Sequence, residues 1–442
     1  MEERNYMSTS WKQYYKDHLM SVDEAVALVK SDDIIIDGHG HGRSPIWGPA
    51  LVKRANELTN VRLATGYNMT PNPYCDPQYE GHFRHVSMFN TAPTRQAHWE
   101  GRADFVPMHF SQMERIFASW KPNVLFTQVT PPNEDGYVSM GVSADFTRAM
   151  VDVCPVVLAQ VNPNMPWTDG DTVIPVEKVT AFVEAETEIP EIPEVVMDKV
   201  SEVDRKIAMN IASLIRDGDC LQTGVGTIPD TVLQFLGDRK HLGVHTELCS
   251  TGVMRLMEKG VIDNSMKTVD AGKVVCTLMG GTREFYDWVN HNPAVELRKS
   301  SYVLNPATIC RQKNMVAMNS AIQIDLFGQV NAEMIGGKQF SGIGGQLDFL
   351  RGAMMSEGGR SILCMPSTAA KGTASRIVCS LDAGTACTDT RCDTMYIVTE
   401  YGIADLWGKS NDERAKQLIE IAHPDFREQL ERDFWTKIHR SV

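Results

Sequence analysis

Four short segments of the 442-residue chain combine residue types that do chemistry with spacings that would present them. In Asp37-Gly-His39-Gly-His41-Gly-Arg43, two imidazoles alternate with glycines behind an apolar run. On an extended chain residues two apart point to one side, a spacing that metal hydrolases use for paired ligands. The opposing reading is a glycine-rich binding loop whose imidazoles and guanidinium hydrogen-bond a ligand. It is favoured because no H-E-x-x-H motif supplies the missing metal ligands. Gln222-Thr-Gly224-Val-Gly226-Thr-Ile-Pro229-Asp230 sits where a strand should end and a helix begin, a place that suits an anion or a developing oxyanion. Glycines there also serve tight packing, and the G-x-G-x-x-G register of a dinucleotide site is absent. Gly243-Val-His245-Thr-Glu247 reads as a short strand delivering a carboxylate to a sheet edge, which makes Glu247 a candidate nucleophile; the alternative is a carboxylate serving a helix dipole. Gly342-Ile-Gly344-Gly345-Gln346 is the most glycine-dense turn, and its N–H groups ahead of a helix would hold a carbonyl oxygen or a phosphate. Lys338 upstream and Lys371 downstream are candidate phosphate partners.

These segments need a scaffold. Ser21-Val-Asp-Glu24 is a capping box ahead of apolar residues at helical spacing, and Ile34-Ile35-Ile36 is a buried strand ending in glycines. The same helix, strand and turn grammar recurs at 124–129 and 156–161. After an acidic, proline-punctuated stretch at 184–195, suited to an exposed linker, it restarts with a helix over 203–215 and a strand over 220–223. Further apolar runs at 274–278, 316–324, 362–365 and 395–398 precede terminal helices carrying Leu418 and Leu430. The expectation is an α/β fold of largely parallel sheets in two domains, residues 1–188 and 189–442, the second carrying Glu247.

Composition narrows the function. Forty-three basic against fifty-six acidic side chains give a net charge of −13, which argues against broad nucleic-acid binding. No apolar run is long enough to span a bilayer, and the first fourteen residues lack a signal-peptide core, so the expected setting is the cytoplasm, away from membranes. The ten cysteines are dispersed, Cys387 and Cys392 being the nearest pair, and read as reduced thiols.

Taken in order, Trp11-Lys-Gln-Tyr-Tyr15, Val161-Asn-Pro-Asn-Met-Pro166, Gln222-Thr-Gly-Val-Gly226, His245-Thr-Glu247, Phe285-Tyr-Asp-Trp288, the 339–349 glycine segment, Thr399-Glu-Tyr-Gly-Ile-Ala404 and Ile421-Ala-His-Pro-Asp-Phe426 resemble the acetyl-CoA hydrolase/transferase family, in its 4-hydroxybutyrate and butyryl-CoA:acetate CoA-transferase branch. The resemblance runs nearly end to end. It implies two open α/β domains of the CoA-transferase type with the active site in the cleft between them. It also implies Glu247 as a nucleophile carrying CoA as a glutamyl thioester, and Asn305 with a backbone N–H at Gly344-Gly345 as oxyanion donors. Gln222, Gly224, Gly226, Gly342, Gly344 and Lys371 would line the CoA thioester and its arm, and His39, His41 and Arg43 the substrate. Acyl-CoA and a small carboxylate would be the substrates of a homo-oligomer with no permanently bound cofactor and no metal. Arg43 stands where the better-known 4-hydroxybutyrate and butyrate enzymes look to carry glutamate; it reads either as a grip for the second carboxylate of itaconate or succinate or as a structural ion pair. An acyl-CoA hydrolase on the same scaffold, a metal hydrolase using His39 and His41, and a silent CoA-binding protein are the alternatives.

Overall fold

The computed structural model describes residues 11–68, 70–224 and 226–438. Most of the amino-terminal stretch read above, residues 1–10, and Val225 of the first glycine turn lie outside them. The backbone forms two compact units, one from the chain up to Ile192 together with Val275–Val303, the other from Pro193–Val274 together with the chain from Leu304. Val275–Val303, placed by the sequence in the second domain, thus groups with the first unit.

The first unit is built on seven strands: β1 (Ile34–Asp37), β2 (Val61–Thr65), β3 (Phe83–Ser87), β4 (Ala103–Phe105), β5 (Val124–Val129), β6 (Val156–Val161) and β7 (Ala181–Glu184). They lie in the order β7-β6-β5-β1-β2-β3-β4, and every neighbouring pair is parallel. Parallel strands are covered on both faces, which is why β5 is an unbroken buried run rather than an alternating one. Helices α1 (Val22–Val26) and α2 (Trp47–Val52) pack on this sheet through Val26, Trp47 and Leu51, against Ile35, Leu63 and Phe126. The capping box of α1 forms as read: Ser21 N–H donates to Glu24 Oε2 at 2.9 Å, and Glu24 N–H to Ser21 Oγ at 3.3 Å. The loop after β1 differs from its reading. Gly40–Gly42 forms a 3-10 turn, so His39 and His41 do not lie on an extended chain.

The proline-rich stretch differs as well. Residues 185–196 have neither helix nor strand, but they are pinned rather than free. Ile192 N–H donates to Gly281 O (2.9 Å), Tyr286 OH to Pro190 O (2.7 Å) and Arg283 N–H to Glu191 (2.9 Å). Prolines remove donors from a segment but leave its carbonyls to accept, as Pro190 O does from Tyr286, while Ile192 N–H and the Glu191 carboxylate supply the other two ties.

The main sheet of the second unit has six strands, β8 (Cys220–Gln222), β9 (Gly243–Val244), β10 (Met315–Ser320), β11 (Arg360–Cys364), β12 (Tyr396–Thr399) and β13 (Gly402–Asp405), in the order β9-β8-β10-β11-β12-β13. All pairings are parallel except the β12–β13 hairpin. The chain steps outward from β8 to β9 and then back past β8 to β10. Such a reversal opens a crevice at the carboxyl ends of the two strands it separates, where doubly wound sheets bind ligands. The helices of this unit include α3 (Glu202–Ser213), α4 (Thr227–Gln234), α5 (Thr251–Glu258), α6 (Pro306–Ile309), α7 (Gln346–Met355), α8 (Asn411–Glu420) and α9 (Pro424–Ile438). Among the described residues no helix is long and apolar enough to cross a membrane.

Helices α6 and α7 touch backbone to side chain, because Gly352 of α7 lies against Ile309 of α6. A Cβ at residue 352 would come within 2.5 Å of Ile309 Cβ and Cγ2. Gly352→Ala should gain up to about 1 kcal/mol of helix propensity and lose about 1–3 kcal/mol to overpacking. A net loss of stability is expected, read in urea as a lower midpoint with an unchanged slope.

Candidate active site

Glu247 is delivered by an edge strand whose open side is closed by side chains from afar. Toward β8, His245 N–H donates to Leu221 O at 3.0 Å. On the outer side, Val244 N–H donates to Asn264 Oδ1 (2.9 Å) and Val244 O accepts from the buried Lys267 Nζ (2.8 Å), so the exposed edge of a two-residue strand is satisfied. Thr246 Oγ1 accepts Thr223 N–H at 3.1 Å and donates to Thr223 O at 2.9 Å, tying the turn after β8 to the residue before Glu247. Ser250 then starts α5 as its N-cap residue, leaving Glu247 half-buried ahead of it.

Against this carboxylate lies Gly345, the N-cap residue of α7. A Cβ there would overlap both Glu247 Oε2 and Leu304 Cδ2, so a larger residue would push the carboxylate and the leucine away from their present positions. The backbone of Gly345 is ordinary at φ −93°, whereas Gly344 sits at φ +58°, a left-handed conformation that brings the chain sharply into the helix. Asn305 follows Leu304 and caps α6, its Oδ1 accepting Ala307 N–H at 3.0 Å; the residue is exposed. Glu247, Gly345 and the Leu304-Asn305 segment therefore meet in one place. A carboxylate there faces the positive end of a ten-residue helix.

The other glycine turn is more self-contained than its sequence implies. Gln222 is buried, and its Oε1 accepts Met318 N–H (3.0 Å) and Asn319 Nδ2 (2.9 Å), bracing β8 against β10. Gly226 N–H donates to the protein's own Asp230 at 3.4 Å, so this N–H already faces a carboxylate. Burial pushes Asp230 up to about 6, and Ser250 Oγ approaches its other oxygen at 3.5 Å. Gly224 lies beside Pro229. Gly342 and Gly344 are buried in the turn before α7, while Lys371 is exposed on the tip of a small hairpin at φ +57°.

His39, His41 and Arg43 belong to the first unit and are buried there, at 2%, 3% and 2% exposure. His39 Nδ1 lies 3.1 Å from Asp145 Oδ2. Burial works against the charge of Asp145, but His39, Ser143 and Thr147 outweigh it and hold its pKa below the usual carboxylate value. Burial, reinforced by His39, pushes His41 down to about 4, so it is neutral at physiological pH. Among the described residues no three His, Cys, Asp or Glu side chains are grouped to hold a metal ion. Arg43 is the clearest departure from the ligand-gripping reading. Its Nε donates to Asp37 Oδ2 at 2.7 Å, and its terminal nitrogens donate to Thr70 Oγ1 and to Tyr74 OH (3.2 Å). Burial opposes the guanidinium charge, but Asp37 and Tyr74 outweigh it and raise its pKa. The ion-pair alternative is the one the fold holds.

Comparisons with known proteins give the class to which this fold belongs. The acetyl-CoA hydrolase/transferase N-terminal domain matches residues 1–196 and the C-terminal domain matches residues 281–434. The 4-hydroxybutyrate coenzyme A transferase of Clostridium kluyveri is 42% identical over 96% of this chain and 99% of its own. The succinyl-CoA:cyclohexane-1-carboxylate CoA transferase of Geobacter metallireducens is 36% identical over 97% and 98%. The crystal structure of RipA from Yersinia pestis superposes with a TM-score of 0.92 at 36% identity, covering 97% of this chain and 99% of that one. The chain belongs to the acetyl-CoA hydrolase/transferase family.

Thr246, Leu304, Asn264 and Lys267 were not singled out from sequence. Thr246 adjoins the nucleophile candidate, so its neighbourhood was a signal; the other three act across tens of residues, and nothing local marks them. Gly345→Ala tests the contact directly. Because φ −93° suits alanine, its effect is steric rather than conformational. The alanine keeps its N–H but displaces the Glu247 carboxylate, and turnover of acyl-CoA should fall by on the order of 10²-fold, as for a misplacement of about 1 Å, with a far smaller change in melting temperature.

Proposed function

We propose that the protein is an acyl-CoA:carboxylate CoA-transferase that moves CoA between short-chain acids of the 4-hydroxybutyrate and butyrate type, with Glu247 as the covalent carrier. The observation that carries this reading is the seating of the Glu247 carboxylate against Gly345, where no side chain fits, at the head of α7. Glu247 attacks the thioester carbonyl; the tetrahedral intermediate collapses to a mixed anhydride and expels CoA thiolate. The thiolate attacks the glutamyl carbonyl, and the first acid leaves as carboxylate, so CoA is now joined to Glu247. The incoming carboxylate runs the steps in reverse and departs as the new acyl-CoA. Serine or cysteine would hold the acyl group but would not become the CoA carrier. The oxyanions are taken to be met by Gly345 N–H and the Asn305 amide, which are fixed before the reaction by the helix starts that hold them. Lys371 and the 342–344 turn are assigned to the phosphates and pantetheine arm of CoA.

Arg43 gives no support to a diacid acceptor, because its charge is matched by Asp37. Monocarboxylates are the proposed acceptors, and succinyl-CoA, named in a relative's activity, is a donor to include in the assay. Initial rates with varied acyl-CoA and carboxylate should give the parallel double-reciprocal lines of double displacement. The near-isosteric Glu247→Gln should lower kcat by at least about 10³-fold without loss of fold. Intersecting lines, or thioester cleavage indifferent to any carboxylate acceptor, would instead indicate direct transfer or a hydrolase.

A further inference from the structure

The carboxylate of Glu247 has an apolar neighbour. A Cβ built on Gly345 would overlap both Glu247 Oε2 and Leu304 Cδ2, while the carboxyl carbon of Glu247 lies 3.4 Å from the same point. Oε2 is therefore the end of Glu247 turned toward Gly345, and a leucine methyl stands beside it there. Leu304 is buried at 0% exposure, although Asn305, the next residue, is exposed. It is the last core side chain before the chain reaches solvent. One turn beyond Gly345 on α7, Phe349 is also buried and meets the ring of His245 edge-on, with 6.2 Å between ring centres, two residues before Glu247. On α6 the apolar lining continues to Ile309, which lies against Gly352.

A methyl group offers a carboxylate oxygen no hydrogen bond, whereas a water in its place would donate one. For a side chain that only carries charge, the leucine is a loss. For one that becomes a thioester it is a protection, because water excluded from a reactive intermediate cannot hydrolyse it. In hydrolysis the oxygen of water bonds to the glutamyl carbonyl carbon and the carbon–sulfur bond breaks. CoA leaves as thiolate and takes up one proton of that water; Glu247 returns as carboxylate, and the other proton is released. That step spends acyl-CoA without using an acceptor acid.

We propose that Leu304 decides between transfer and hydrolysis: its side chain keeps water from the Glu247 carbonyl, so the thioester lasts until a carboxylate arrives. The proposal rests on the Glu247 reading above and adds to it a determinant of which acceptor is used. Truncating Leu304 leaves a space bordered by the Glu247 oxygen and the backbone of Gly345. A space with polar partners fills with water, whereas one lined by hydrocarbon stays dry. The same truncation at Ile309, whose neighbour on α7 is Gly352, leaves a dry one.

The test charges the full-length protein with acetyl-CoA, removes small molecules and follows the release of CoA with and without butyrate. Wild type is compared with Leu304→Ala, Leu304→Val, Leu304→Met and Ile309→Val. Without acceptor, discharge should be about tenfold faster in Leu304→Ala and about threefold faster in Leu304→Val. It should stay close to wild type in Leu304→Met, which keeps the volume, and in Ile309→Val. Discharge by butyrate should change by less than about threefold throughout, so the ratio of the two rates moves rather than activity as a whole. Leu304→Val decides the matter alone if Leu304→Ala does not fold. Hydrolytic discharge unchanged in the Leu304 truncations would overturn the proposal. So would a rise in Leu304→Met or Ile309→Val as large as in those truncations, since general loosening would then be the cause. Borohydride trapping in the same samples separates the two levels: an adduct on Glu247 with unmoved ratios defeats only the role of Leu304, and a wild type that takes up no CoA covalently defeats the carrier reading itself.

Discussion

The candidate site of the second unit turns on one close approach: a Cβ on residue 345 would overlap Glu247 Oε2 and Leu304 Cδ2, the ends of two long side chains, which would then have to move. Glycine lets these three segments, far apart in sequence, come together without that shift. The surroundings serve that closeness. Gly352, about two turns further along the same face of α7, repeats the same economy against Ile309 and lies against α6, whose N-cap residue is Asn305. Edge strand β9 would be a weak support by itself, but Asn264 and Lys267 take up the backbone groups it leaves open.

The first unit shows the opposite use of polar residues. Its glycine-histidine loop looks reactive on paper, yet it is tied inward by buried polar contacts, the His39–Asp145 hydrogen bond and the Arg43–Asp37 ion pair, with Tyr74 and Thr70 completing the cage around Arg43. Breaking one partner of such a buried pair costs about 3–5 kcal/mol, because the remaining charge is left without water or counter-ion. Their role in specifying one arrangement of the loop follows from that cost, whatever the pair adds in net stability. His41, kept neutral by burial, fits the same pattern.

The parallel sheets were legible because their strands are short apolar runs ending at turn residues, as at 34–37, 124–129 and 156–161, and because the capping box of α1 is a local signal. The grouping of Val275–Val303 with the first unit was not legible, since chain crossings leave no mark in composition. Glu247 and the 342–345 turn could be singled out by residue type and by resemblance, and the fold puts them together. Arg43 misled as a substrate grip because its counter-charge, Asp37, lies at the end of the preceding strand and signals nothing about which way its side chain turns. At Gly226 the sequence showed a turn rich in N–H groups but not that Asp230, four residues on, folds back to within 3.4 Å of one of them.

The most direct measurement is peptide mass spectrometry of the protein after incubation with acyl-CoA donors, with and without borohydride, which reduces a glutamyl thioester to the alcohol. Reduction confined to Glu247 and dependent on acyl-CoA is the expected result, and an acceptor carboxylate added before borohydride should prevent it by discharging the thioester. An unmodified Glu247 in a preparation that still exchanges CoA between acids would contradict the covalent carrier on which this reading of the site depends.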